Sequence, residues 1–145
     1  MPRTRLDEER EALEEFFPQF RIQDPYGPKR GVLGTMSTNG GNEYLIFLAL
    51  GSFPNDAPSA YVIQPEGLTD YQGHLLSSFK SSRPMHLLQP DAYGHPQICH
   101  YNDQFWHPDV SLYKILMKVR LWLEAYEQHK RHGKPIDAYL SHMQG

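Results

Sequence analysis

Cys99 is the one thiol of the chain, and it stands in Gln97-Ile98-Cys99-His100-Tyr101 with His86, His95, His100 and His107 close by in sequence. A thiolate is both a strong nucleophile and a good leaving group. A cysteine near imidazoles therefore suits acyl transfer, taking a carboxyl group as a thioester and yielding it to an amine. Two other chemistries use the same residue types. His95, Cys99, His100 and His107 could donate to zinc, but there is no second cysteine and no paired spacing of the structural zinc kind. A cysteine hydrolase needs a histidine base and an Asp or Asn to orient it; with eight histidines present and no orienting partner assignable, co-occurrence says little. The plain alternatives are a small buried hydrophobe for the cysteine and packed loop residues for the histidines.

These residues lie in a stretch from Pro65 to Asp109 that is rich in Pro, Ser, His and Gln and has almost no periodicity. An ordered irregular stretch of that length in a compact domain is usually functional, and rigid elements must position it. Upstream, Leu6, Leu13, Phe16 and Phe17 recur at helical spacing and predict an amphipathic helix from Thr4 to Phe17, with Thr4 and Asp7 as a capping box and Pro18 as its stop. Four β-type runs follow, Phe20 to Gln23, Gly31 to Ser37, Glu43 to Leu50 and Ser59 to Gln64, with Asn39-Gly40-Gly41-Asn42 as a hairpin turn. Downstream, Asp109 or Ser111 can cap a helix running to about His129. Its buried stripe would be Leu112, Ile115, Leu116, Val119, Trp122, Leu123 and Tyr126. Gly133 and Pro135 end it, and Ile136 to Met143 forms a last short helix. Phe53 and Tyr61 are expected to face a core shared with Leu112, Leu116 and Val119, with Trp106 in that core. The sum is a single α+β domain, residues 1–145, with a helix, a four-stranded antiparallel meander, a long loop and C-terminal helices, without internal repeat or linker.

Composition narrows the function classes. The chain has 145 residues, 39% apolar and 21% charged. A chain of this size buries roughly 70% of its extended surface, enough for a core without staples. A single thiol excludes an internal disulfide and fits a reducing, cytoplasmic compartment. The longest apolar run, Tyr44 to Leu50, is seven residues, against the roughly 18 to 20 that span a bilayer, so no membrane partner is expected. Asp7, Glu8, Glu9, Glu11, Glu14 and Glu15 leave no room for a signal peptide near the start. A net charge of −3 points away from nucleic acid. No cofactor and no metal is assigned.

Several separated pieces together resemble the ubiquitin-conjugating enzyme family. Tyr44 to Leu50, then Phe53-Pro54-Asn55-Asp56-Ala57-Pro58 and Tyr61-Val62-Ile63, is similar to that family's strand, Phe-Pro-x-Asp-x-Pro turn and following strand. Ile98-Cys99 followed by Trp106-His107-Pro108 and Ser111-Leu112 resembles its active-site cysteine and the Trp-x-Pro before the next helix. The resemblance covers the chain from Thr4 to about Tyr126 and implies that family's fold. Farther along, Trp122-Leu123-Glu124-Ala125-Tyr126-Glu127 with Gly133-Lys134-Pro135 and His142 resembles bacterial relatives in the antiphage defence operons called CBASS. That implies a cGAS-like cyclic-oligonucleotide synthase as carboxyl donor, a thioester on Cys99, an acceptor lysine on a target protein, and a separate activating enzyme if one is needed. An inactive binding module of the same fold is the competing reading, and the retained cysteine argues against it.

The chain departs from the family in two places. Eukaryotic members carry His-Pro-Asn about ten positions before the cysteine, whose Asn supports the oxyanion. Here His95-Pro96-Gln97 is too close to Cys99 and Met85-His86-Leu87 has no Asn. His86, His95, His100, Tyr101 and Asn102 are the candidate replacements. Of these, His86 and His95 are expected to act through local positive charge or by holding the loop, not as obligatory general bases. The second departure is charge. Residues 1 to 24 hold four basic and seven acidic side chains, whereas residues 111 to 145 hold six basic and three acidic ones, the reverse of the eukaryotic polarity.

Overall fold

The computed structural model describes residues 3–100 and 105–140. Helix α1, Arg5–Phe16, starts with the expected capping box: the Thr4 hydroxyl accepts from the Asp7 amide at 3.1 Å, and the Asp7 carboxylate accepts from the Thr4 amide at 3.0 Å. This satisfies two groups at the helix entry. Leu13 and Phe17 bury as their spacing predicts, but Phe16 does not. It is 54% exposed and rests on Tyr113, ring centroids 4.8 Å apart. Glu9 takes an inward position instead, for reasons that lie outside the helix.

Strands β1 (Arg21–Gln23), β2 (Gly31–Ser37), β3 (Glu43–Ala49) and β4 (Ser59–Gln64) form the antiparallel meander. The expectation of four strands is corrected to six. Two short strands, β5 (Leu87–Leu88) and β6 (Gln97–Ile98), extend the sheet in the order β1-β2-β3-β4-β6-β5. At two residues each they carry no alternation for a pattern to reveal. The stretch from 65 to 109 is thus partly structured, with a 3-10 turn at Leu76–Phe79 as well.

Alternation decides what each strand buries. Val32 and Met36, Tyr44, Ile46 and Leu48, Ala60 and Val62, Leu87 and Ile98 all enter the core. Because Ala60 and Val62 point inward, Tyr61 lies on the opposite face and is only half-buried, so its expected place beside Leu112 is corrected. Phe53 does enter that core, at 2% exposure.

Helix α2, Leu112–His132, supplies the rest of the core through its whole expected stripe. Ser111, not Asp109, is the cap, its hydroxyl accepting from the Lys114 amide at 3.1 Å. The helix outlasts the expected His129 and stops at Gly133, whose φ of 82° is a left-handed position that suits a residue without Cβ. Helix α3, Ile136–Leu140, follows; the remainder of the expected Ile136 to Met143 helix lies outside the described residues. No helix among the described residues is long and apolar enough to cross a membrane.

Polar groups lock the elements together. Glu9 is 5% exposed; one oxygen accepts from the Leu112 amide at 2.8 Å and the other from Arg5 Nε at 2.8 Å. Arg5 continues to the carbonyls of Pro108 (2.7 Å) and Val110 (2.9 Å), and its guanidinium sits 5.1 Å from the Phe53 ring centroid. At the far end of α2, buried Glu127 accepts from Thr38 (2.9 Å), Asn42 (2.9 Å) and Tyr44 (2.7 Å), fixing the β2–β3 hairpin to the helix. Burial and this carboxylate together push the Tyr44 phenol far above its ordinary range.

Candidate active site around Cys99

Cys99 comes immediately after β6 and is half-exposed. Its amide donates to the His86 carbonyl at 2.8 Å. The pairing of β5 with β6, Leu87 with Ile98 and Leu88 with Gln97, makes His86 and Cys99 the next facing pair. On the other side, Ala60 pairs with Ile98 and Tyr61 with Gln97, so Ser59 occupies the next position opposite Cys99. The cysteine is therefore presented at the end of a hydrogen-bonded ladder, with fixed backbone on both sides.

The turn that carries His86 is tied to both C-terminal helices. The Pro84 carbonyl accepts from the Asp137 amide of α3 at 2.8 Å, and the Met85 carbonyl accepts from the Trp122 indole of α2 at 3.1 Å. His86 itself has φ of 50°, and its Nε2 meets an Asp137 carboxylate oxygen at 2.6 Å. An Asp that orients a histidine near Cys99 was not assignable from sequence. Asp137, 51 residues from His86, is that Asp.

His95 does not join this group. It precedes Cys99 by four residues, on the other side of the short strand β6. Its Nδ1 lies 2.7 Å from Asp91, whose other carboxylate oxygen accepts from the amides of Tyr93 and His95, both at 2.9 Å. The same arrangement recurs at Asp70 to His74. Asp70 accepts from the amides of Gln72 (2.9 Å) and His74 (2.8 Å), and its second oxygen lies 3.3 Å from His74 Nδ1. Asp70-Tyr71-Gln72-Gly73-His74 and Asp91-Ala92-Tyr93-Gly94-His95 are one Asp-x-x-Gly-His turn used twice, with Gly73 and Gly94 at φ of 86° and 82°. This corrects the expectation of no internal repeat, on a scale of five residues. It also gives His95 a local task, closing a turn.

Burial works to raise the Asp91 carboxyl, but the His95 amide, the His95 ring and the Tyr93 amide outweigh it and hold the group below the usual carboxylate range. Asp70 behaves alike, with the His74 amide and ring and the Gln72 amide overcoming burial.

The remaining candidates divide. His100 Nε2 lies 2.6 Å from the Pro58 carbonyl and so joins the residue after Cys99 to the end of the Phe53 to Pro58 turn. Trp106 is half-buried rather than a core residue; its indole donates to the Pro54 carbonyl at 3.0 Å and its ring lies 6.2 Å from that of Phe53. His107 is exposed, its Nδ1 accepting from the Asp109 amide at 3.2 Å. Tyr101 and Asn102 lie outside the described residues. Among the described residues, no group of three or more His, Cys, Asp or Glu side chains is placed to hold a metal ion. A cavity of about 430 Å³ lined by Tyr44, Thr69, Tyr126, Glu127 and Lys130 sits toward the other end of β4, away from Cys99. No family model, no curated protein and no solved structure matches this chain.

Proposed function

We propose that the chain is a ubiquitin-conjugating-like acyl transferase, with that family's fold and with Cys99 as the residue that carries the acyl group. The observation that supports this most is the meeting of two motifs nearly 50 residues apart. Trp106 of the Trp-x-Pro bonds to Pro54 of the Phe-Pro-x-Asp-x-Pro turn, and His100 beside the cysteine bonds to Pro58 at that turn's end. Unrelated loops would have no reason to converge on a half-exposed thiol in this way.

In this reading, the Cys99 thiolate attacks a carboxyl terminus that an activating enzyme already holds as a thioester, and the enzyme's thiolate departs. A target amine then attacks the new thioester, forming the C–N bond as the C–S bond breaks; the amine's proton goes to solvent. No strong base is needed, because the leaving group is already a thiolate. The carboxyl donor is a cGAS-like cyclic-oligonucleotide synthase of a bacterial antiphage system, and the acceptor a protein lysine. The reversed charge is in keeping with a docking partner different from the eukaryotic one: Glu8, Glu11, Glu14 and Glu15 of α1 are exposed.

The test is an adduct assay with the synthase and its activating enzyme. Cys99 should form an adduct that thiol reductants cleave, Cys99→Ala none, and Cys99→Ser a slower ester that resists reductant. Both variants should fold, since the side chain is half-exposed and small. Conjugation by Cys99→Ala at the parent's level would overturn the reading in favour of a binding module.

A further inference from the structure

We propose that His86 and Asp137 are positioning residues for Cys99: Asp137 holds the His86 imidazole, through Nε2, on the residue that faces the cysteine across the ladder. The inference deepens the acyl-carrier reading, on which its consequence for transfer rests, but its chemistry concerns the thiol alone.

The Cys99 amide donates to the His86 carbonyl at 2.8 Å, whereas the His86 amide turns back to the Arg83 carbonyl, so the two residues are neighbours joined by one backbone bond. A positive charge on a ring fixed beside the cysteine favours the thiolate over the thiol. The ring is held at Nε2, 2.6 Å from the Asp137 carboxylate. Cys99 needs the charge in one place, and three contacts supply that: the Asp137 amide on Pro84, the Trp122 indole on Met85, and the carboxylate on the ring.

The choice of residue points the same way. His86 closes the 82–87 turn with a positive φ, a position that Gly or Asn occupies more easily. A histidine at that position carries a conformational cost that its ring contact with Asp137 offsets. In the turn itself Arg83 is the other charged side chain, and next to Cys99 in the chain His100 is held on the Pro58 carbonyl. From α2 the contact is the uncharged Trp122 and from β4 the facing position is Ser59.

The experiment measures Cys99 alkylation by iodoacetamide from pH 5 to 10 in the full chain, with melting curves, for the parent, His86→Asn, Asp137→Ala and Asp137→Asn. The parent's midpoint should lie below the ordinary thiol value of about 8.5. His86→Asn and Asp137→Ala should move it upward by about one pH unit, with a roughly five- to tenfold slower reaction at pH 7. Asp137→Asn should restore most of the difference, because its amide oxygen still accepts from Nε2–H. His86→Asn should melt no lower than the parent, since Asn tolerates the left-handed backbone. Superimposable pH profiles for the parent and His86→Asn would overturn the proposal, as would an Asp137→Ala variant that melts lower without a shifted profile. Shifted profiles without any acyl adduct would instead leave the pair standing and sink the transferase reading.

Discussion

Glu9 is the side chain whose removal should tell most about how the N-terminal helix supports the site. In Glu9→Ala, the Leu112 amide loses its acceptor and Arg5 loses its carboxylate, both of them at 2.8 Å. The Leu112 amide belongs to the first turn of α2, where no helical carbonyl can replace the lost partner. A hydrogen bond to a charged group contributes about 1.5 to 3 kcal/mol, and stripping one member from a buried pair costs about 3 to 5. Arg5 keeps the carbonyls of Pro108 and Val110, so its charge is not stranded, and the lower figure applies. The expected loss is about 3 kcal/mol, or roughly 10 °C in Tm for a domain of this size. Glu9→Gln retains an acceptor for Leu112 and gives up only the charge opposite Arg5, so it should lose about 1 kcal/mol. Urea unfolding reads both, with an unchanged m-value to show that the two end states are the same. A Glu9→Ala loss below about 1 kcal/mol at constant m, or equal losses in the two variants, would refute the assignment of Glu9 as the joint between α1 and α2.

Trp106→Ala should cost about 2 kcal/mol, less than the 3 or more of a fully buried aromatic, because the ring is half-buried and its indole bond to Pro54 is one neutral hydrogen bond; chemical denaturation of Trp106→Ala beside Trp106→Phe separates packing from that bond. Asp70 and Asp91 have lowered carboxyl pKa values in the folded chain. Their contribution to stability is complete above the unfolded value of about 3.9 and disappears as pH falls through the folded value, so stability should drop steeply below about pH 4. Asp91→Asn should flatten that drop in acid unfolding while leaving Cys99 alkylation unchanged; a slowed alkylation would show that the Asp91 and His95 turn does reach the thiol.

Much of the fold could be read along the chain because its larger elements announce themselves locally. Thr4 and Asp7 are three residues apart, Ser111 and Lys114 likewise, and the stripe of α2 repeats often enough to set its period. What stayed hidden has two physical origins. Strands β5 and β6 are shorter than one full alternation, so nothing distinguishes Gln97-Ile98 from loop until Ala60 and Leu87 are beside Ile98. Polar partners such as Glu9 with Leu112 or Glu127 with Tyr44 are more than 80 residues apart, and a glutamate on a helix looks solvated until its partner arrives. The Asp-x-x-Gly-His turn is a different case, because both copies are local five-residue patterns legible in the sequence itself.

The same division runs through the site. Cys99 and the two proline motifs could be proposed from spacing, because each is a local pattern and only their convergence is non-local. His86 and His95 could not be ranked, since both are histidines within fifteen residues of the same cysteine. Their partners rank them: Asp91 is four residues from His95 and makes a turn that His74 makes equally well, whereas Asp137 reaches His86 only after α2 and α3 have packed. A local pair forms wherever its five residues are found and says nothing about the thiol. The His86 pair exists only in the completed fold, on the residue whose carbonyl accepts from the Cys99 amide, and so couples the packing of the C-terminal helices to the surroundings of the thiol.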